Sequence, residues 1–172
     1  RAYPSSFPEQ KLEISFMLPE IPNNEFFARA MRSSDLDLVV RNEAAAYTSP
    51  WSKRVFVDCL RAGYQCWVLA NKDQIAAHGV LSVAIGECHL LTLCVAPEFQ
   101  RGGLGRRLFK LLLDKAAKLE AETCFLEVRK SNAAAIALYE SMGFSQIGER
   151  KGYYPGGAAG EDALVMSALV RR

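Results

Sequence analysis

Hydrophobic residues change their spacing several times along the chain, and each change marks an element. Leu104, Leu108, Leu111, Leu112 and Leu119 recur at helical intervals, which predicts an amphipathic helix opening near Leu104. The short apolar runs Gln65 to Ala70, Ile75 to Val83 and Cys88 to Val95 read as successive strands, with Asn71-Lys72-Asp73 turning the first into the second. Upstream, Phe27 to Met31 reads as a strand. Ser34 or Asp35 is placed to cap a helix reaching about Ala46, and Ser49 to cap another running through Cys59 to Arg61. Downstream come a strand at Thr123 to Val128, a helix from Ser131 to Ser141, and strands near Phe144 to Glu149 and Ala163 to Leu169. This alternation predicts an α/β (α+β) domain, a mixed sheet of about seven strands with helices on both faces. There are no internal repeats.

Composition breaks near residue 25. Four of the seven prolines, Pro4, Pro8, Pro19 and Pro22, fall before it and forbid a helix through those points. Leu12, Ile14, Phe16 and Leu18 alternate between them, so residues 1 to 25 read as a flexible or peripheral arm holding at most a short edge strand. Residues 26 to 172 are then one domain, long enough for a substantial core. Half of the 172 residues are hydrophobic, yet no apolar run reaches the ~18 needed to span a bilayer, and no secretory leader is recognised. The net charge of +2, with no basic run beyond pairs such as Arg106-Arg107 and Arg171-Arg172, gives no ground for direct nucleic-acid binding. The five cysteines, Cys59, Cys66, Cys88, Cys94 and Cys124, lack C-x-x-C spacing and read as buried thiols in a reducing cytoplasm, with no metal expected.

The segment Val95 to Arg107, VAPEFQRGGLGRR, changes the picture. It sets Gly102, Gly103 and Gly105 where an apolar strand hands over to the long helix. The first N–H groups of a helix have no partner within it and carry partial positive charge, and glycine lets such a backbone approach an anion closely. Arg106 and Arg107 occupy the first turn, where the dipole disfavours cations, so an external anion is the expected counterweight. A glycine-rich turn with solvated arginines is the competing reading. No Walker Gly-Lys-Ser/Thr run is present, and a dinucleotide fingerprint fails because Leu108 stands at its third small position.

Gln100-Arg101-Gly102-Gly103-Leu104-Gly105 spells Q/R-x-x-G-x-G/A, which resembles the acyl-CoA pyrophosphate loop of the GNAT superfamily of N-acyltransferases. A second block, LEVRKSNAAAIALYESMGF from Leu126 to Phe144, together with Pro50-Trp51-Ser52 and Gly152-Tyr153-Tyr154-Pro155, is similar to the RimI-type branch. The likeness covers residues 28 to 170. It implies the GNAT fold, acetyl-CoA as cosubstrate, and a cytoplasmic enzyme that acetylates the N-terminal alanine of a small-subunit ribosomal protein without an acyl-enzyme.

Roles follow from the same resemblance, residue by residue. The strand ahead of the loop, here Leu93, Cys94 and Val95, splays from its neighbour and pairs with the pantetheine arm, the N–H of Val95 or one beside it facing the thioester oxygen. From composition a plain core strand competes on equal terms, and the adjoining loop tips the balance. Arg101, Gly102, Gly103, Leu104, Gly105 and Arg106 hold the pyrophosphate. Glu127 is the general base; strand alternation sets it on one face with Phe125 and Arg129, so an ion pair with Arg129 or a solvated face competes. Tyr139 donates to the departing sulfur and Asn132 contacts the coenzyme. These two share a helix face at i and i+7, while a core tyrosine and a helix-capping asparagine are the bland alternatives. Cys88 and His89 face opposite sides of a strand and cannot act as a pair; His78, isolated in an apolar run, reads as structural. The segments Asn42 to Trp51 and Arg150 to Asp162, the latter an aromatic mobile loop, are expected to flank the acceptor. A lysine or small-amine acetyltransferase, or a CoA-binding module without chemistry, remain alternatives.

Overall fold

The computed structural model describes residues 25–156 and 160–170, so the expected arm, apart from Glu25, and the Arg171-Arg172 pair lie outside the described residues. Seven strands form one sheet: β1 (Phe27–Ala30), β2 (Gln65–Ala70), β3 (Ile75–Ala84), β4 (Glu87–Val95), β5 (Thr123–Arg129), β6 (Ser145–Tyr154) and β7 (Glu161–Leu169). Their spatial order is β1-β2-β3-β4-β5-β7-β6, with β4 and β5 parallel and every other pair antiparallel. The parallel pair is joined through α3 (Leu104–Lys118), the crossover that a parallel connection requires.

Helices cover both faces, as the spacing predicts. On one, Leu104, Leu108, Phe109, Leu112 and Ala116 of α3 pack against Leu69, Leu81, Leu90 and Leu126, joined by Tyr139 of α4 (Ala133–Ser141). On the other, α1 (Leu36–Ala46) and α2 (Lys53–Arg61) bring Leu36, Val39, Phe56 and Cys59 onto Cys66, Val68 and Val80. Strand alternation divides the two cores: in β2, Cys66 and Val68 face α1 and α2, while Trp67 and Leu69 face α3. All five cysteines are free and buried. No helix among the described residues is long and apolar enough to cross a membrane.

Several boundaries differ from expectation. The second helix starts at Lys53, not behind Ser49: Ser52 is extended at φ −75° and ψ 158° and takes the N-cap position. Asp35 does stand at the N-cap of α1, after a 3₁₀ turn at Ser33–Asp35, but its carboxylate accepts from Arg29 at 2.7 and 2.9 Å and from the Arg32 N–H instead of capping the helix. Leu119 lies one residue beyond α3 and is half exposed. Most of the expected mobile loop from Arg150 is strand: β6 runs to Tyr154 and β7 begins at Glu161, with residues 157–159 outside the described set. Asp162 fastens this end, accepting from the Gly152 N–H at 2.9 Å and from Lys151 at 3.0 Å.

The approach of α3 to the sheet depends on Gly79. A Cβ there would stand 2.8 Å from Leu112 Cδ1 and 3.3 Å from Leu93 Cδ1. Gly79→Ala is expected to cost about 1–3 kcal/mol in denaturant unfolding, and less in a Leu112→Ala background where the methyl fills vacated space. Equal costs in both backgrounds would contradict this packing.

Candidate active site

β4 and β5 pair only over their first halves. Glu87, Cys88, His89 and Leu90 stand opposite Thr123, Cys124, Phe125 and Leu126, and there the register ends. Beyond it, β4 remains held to β3 as far as Val95, and β5 to β7 as far as Arg129. The two strands diverge into a cleft of about 650 Å³, walled by the end of α1, the β4 edge, the start of α3, β5 and α4.

At its apex the chain turns through a 3₁₀ segment, Pro97–Phe99, into α3. Gln100 braces this turn by donating its side-chain amide to the Val95 carbonyl at 3.1 Å. Gly103, at the N-cap, adopts φ 78°, where a side chain is strained, and no side chain caps the helix. Arg101 also takes a left-handed φ of 68°. Arg106 donates to Ser141 Oγ at 2.6 Å, so it ties α3 to the end of α4 while lining the cleft. At Gly105 a methyl would meet only ordinary contacts, 3.5 Å from Val95 and 3.6 Å from Leu138, which fits a position open to glycine or alanine.

Ten of the twelve residues singled out from the sequence line this one cleft: Leu93, Val95, Arg101, Gly103, Leu104, Gly105, Arg106, Glu127, Asn132 and Tyr139. Cys94 and Gly102 do not. Alternation along β4 turns Cys94 to the α1 side, where its thiol lies 3.7 Å from the Asn42 carbonyl; burial and the Glu43 carboxylate push its pKa well up, so it is an inert thiol. A Cβ on Gly102 would stand 3.7 Å from the Phe99 carbonyl oxygen.

Glu127 is not paired with Arg129. It lies 3.3 Å from exposed Arg150 of β6, and its side chain is 21% accessible, open enough for water. Arg129 instead binds Glu161 at 2.8 Å and lies 4.4 Å from the Tyr154 ring centre, fixing that ring at the cleft. Glu161 also accepts from the Ser131 hydroxyl and N–H, and these bonds with Arg129 hold its carboxyl down at about 2. Tyr139 is both core residue and cleft lining: its ring packs edge-on against Phe109, and burial raises its phenol well above the ordinary value. Asn132 caps α4, its Oδ1 accepting from the Ala135 N–H at 3.1 Å, which leaves its amide N–H₂ for a ligand.

Three features escaped sequence reading. Tyr47, just past α1, donates its phenol to the Leu93 carbonyl at 2.5 Å. Glu43 and His78 form a fully buried pair, Oε2 to Nε2 2.7 Å, and Glu43 Oε1 accepts from the Trp51 N–H at 3.4 Å. A signal for the pair existed: Glu43 falls on the apolar stripe of α1 with Leu36, Val39 and Val40, and a charge there needs a partner such as the histidine stranded in β3. Cys94 Sγ completes a cluster whose donor atoms lie within 4.8 Å. The His–Glu separation is that of a hydrogen bond, whereas two ligands of a tetrahedral zinc stand ~3.3 Å apart at metal–ligand lengths near 2 Å.

Comparison with known proteins gives concordant results. The pattern of the Acetyltransferase (GNAT) family matches residues 28–144. The chain is 38% identical over 138 residues to the ribosomal protein bS18-alanine N-acetyltransferase of Escherichia coli K12, covering 80% of this chain and 93% of that one. It is 39% identical over 137 residues to the enzyme of the same name from Salmonella typhimurium, with the same coverage. The crystal structure of the ribosomal-protein-S18-alanine N-acetyltransferase from Escherichia coli superposes with a TM-score of 0.79 at 36% identity, over 86% of this chain and 95% of the other. A protein from Salmonella typhimurium solved with its cofactor acetyl-CoA shares the fold, with a TM-score of 0.71 at 19% identity over 87% of this chain and 96% of the other.

Proposed function

The chain belongs to the GNAT family of acetyltransferases, and we propose that it transfers acetyl from acetyl-CoA to the N-terminal alanine of ribosomal protein bS18. One coincidence carries the reading: the open edge of β4 leads directly into an uncapped, glycine-turned helix start, and Glu127 and Tyr139 line the same cleft. The protein relatives at 38% and 39% identity supply the acceptor.

Acetyl-CoA supplies the thioester. The α3 N-terminus with Arg101 and Arg106 receives its pyrophosphate, and the pantetheine arm lies along Leu93 and Val95 as an added strand. The Val95 N–H faces the thioester oxygen, where negative charge develops. The acceptor α-amine has an ordinary pKa near 8, so Glu127, acting through water, removes a proton that is already weakly held. On the other side Tyr139 meets the departing sulfur. A phenol near 10 is a weaker acid than a thiol near 8.5, a gap of ~2 kcal/mol that burial of Tyr139 widens. Tyr139 therefore acts as a hydrogen-bond donor to the thiolate, which takes its proton finally from solvent.

Thiol release from acetyl-CoA with an Ala-starting peptide tests the activity, with a peptide bearing only a lysine amine as control. Glu127→Gln and Tyr139→Phe are each expected to lower kcat about 10²-fold while calorimetric acetyl-CoA affinity stays within about threefold. Full activity in both variants would remove their assigned roles. The pH dependence has a definite sign. Activity rises as the α-amine deprotonates near pH 8, and because the Tyr139 phenol keeps its proton past its usual pKa of 10, no descending limb appears up to about pH 9.5. A decline between pH 8 and 9.5 would contradict a neutral phenol donor.

A further inference from the structure

We infer that Tyr47 selects the acceptor by limiting the size of its first side chain, an inference that rests on the N-terminal acetylation reading above. Tyr47 sits where α1 ends. Its N–H is held by the Glu43 carbonyl at 3.0 Å, and its backbone is extended at φ −125° and ψ 143°, which releases the side chain from the helix. From the α1 wall the ring reaches β4, and the hydroxyl bonds to the Leu93 carbonyl, 46 residues away in sequence. The phenol is thus fixed at both ends and forms a strut across one side of the cleft.

Its surroundings place that strut beside the chemistry. Tyr47 lines the cleft together with Glu127, Tyr139 and Tyr154. Burial, with the nearby Cys94, Tyr139, Glu43 and Tyr154, keeps the phenol protonated, so it remains a donor at any working pH. The same wall is stiffened from behind: Glu43 is locked by His78 and in turn holds the Trp51 N–H, so both ends of the α1–α2 connection are tied to one buried pair. On this inference a methyl group is accommodated beside the ring. A branched or aromatic first residue must displace it, which breaks a part-buried hydrogen bond and leaves the Leu93 carbonyl without that donor. Small acceptors are therefore favoured by exclusion of large ones.

The test compares kcat/KM for peptides that differ only in their first residue, Ala, Leu or Phe, using the full chain and the variants Y47A, Y47L and Y47F. The Leu/Ala and Phe/Ala ratios are expected to rise roughly tenfold or more in Y47A and in Y47L, whose side chain cannot reach β4. In Y47F, which keeps the ring and loses only the strut, they rise by a smaller factor. Calorimetric acetyl-CoA binding certifies each variant as folded, and Y47L stands in should Y47A fail that check. Ratios unchanged from the parent in coenzyme-binding Y47A or Y47L overturn the inference alone. No peptide-dependent thiol release from the parent overturns the acetylation reading and this inference with it.

Discussion

An open strand edge in the middle of a sheet is the constraint on which the site depends. Backbone N–H and C=O groups shielded from water must find partners, and β4 past Leu90 has none on its β5 side. The protein satisfies some of them from elsewhere: Tyr47 donates to the Leu93 carbonyl and the Gln100 amide to that of Val95. The Gln100 amide sits on an exposed side chain that can shift at low cost, whereas the Tyr47 phenol stays as a fixed post at Leu93. The edge is therefore held ready for an extended ligand without being sealed, and the ligand class follows from what lies at its end, an uncapped helix start with arginines beside it.

The two cores keep the cleft from closing. α3 presses on β2, β3 and β4 through Leu108 and Leu112, with Gly79 allowing the close approach, and this fixes the β4 side. The β5 side is fixed by pairing with β7 from Thr123 to Arg129 and by Glu161, which gathers Arg129 and Ser131 where β5 gives way to α4. Arg106 bridges the helices through Ser141. That partner is a neutral hydroxyl, so the bond positions the guanidinium without offsetting its charge.

Local patterns carried most of the fold in the sequence because they need no knowledge of partners. The period of α3 and the runs of β2, β3 and β4 are written in consecutive residues, and the observed elements follow them closely. Gly103 was legible for the same reason, since its left-handed φ serves a turn made by its own neighbours. What was lost depends on distance. Ser49 and Ser52 offer the same chemistry as caps, and the docking of Phe56 decides between them. Glu127 was placed on the same strand face as Arg129, yet β7 takes that arginine with Glu161 and β6 supplies Arg150 instead. Tyr47 and Leu93 are 46 positions apart, and nothing in either neighbourhood announces the bond between them. Cys94 shows the same limit on a finer scale: the role expected of it belongs to its backbone, while alternation turns its side chain into the opposite core.

Moderate acid–base demands explain why geometry dominates this cleft. An α-amine near pKa 8 and a thiol near 8.5 are both close to neutral pH, so neither proton requires a strongly perturbed group. Glu127 is partly accessible and lies against an exposed arginine, and the marked shift at Tyr139 runs toward keeping its proton. In the proposed reaction, rate then comes mainly from holding thioester and amine together against the Val95 N–H. Discrimination between amines follows the same logic. Where the chemistry is equally easy for many N-termini, the walls must reject the wrong ones, and a ring anchored between α1 and β4 is a rigid element suited to that task.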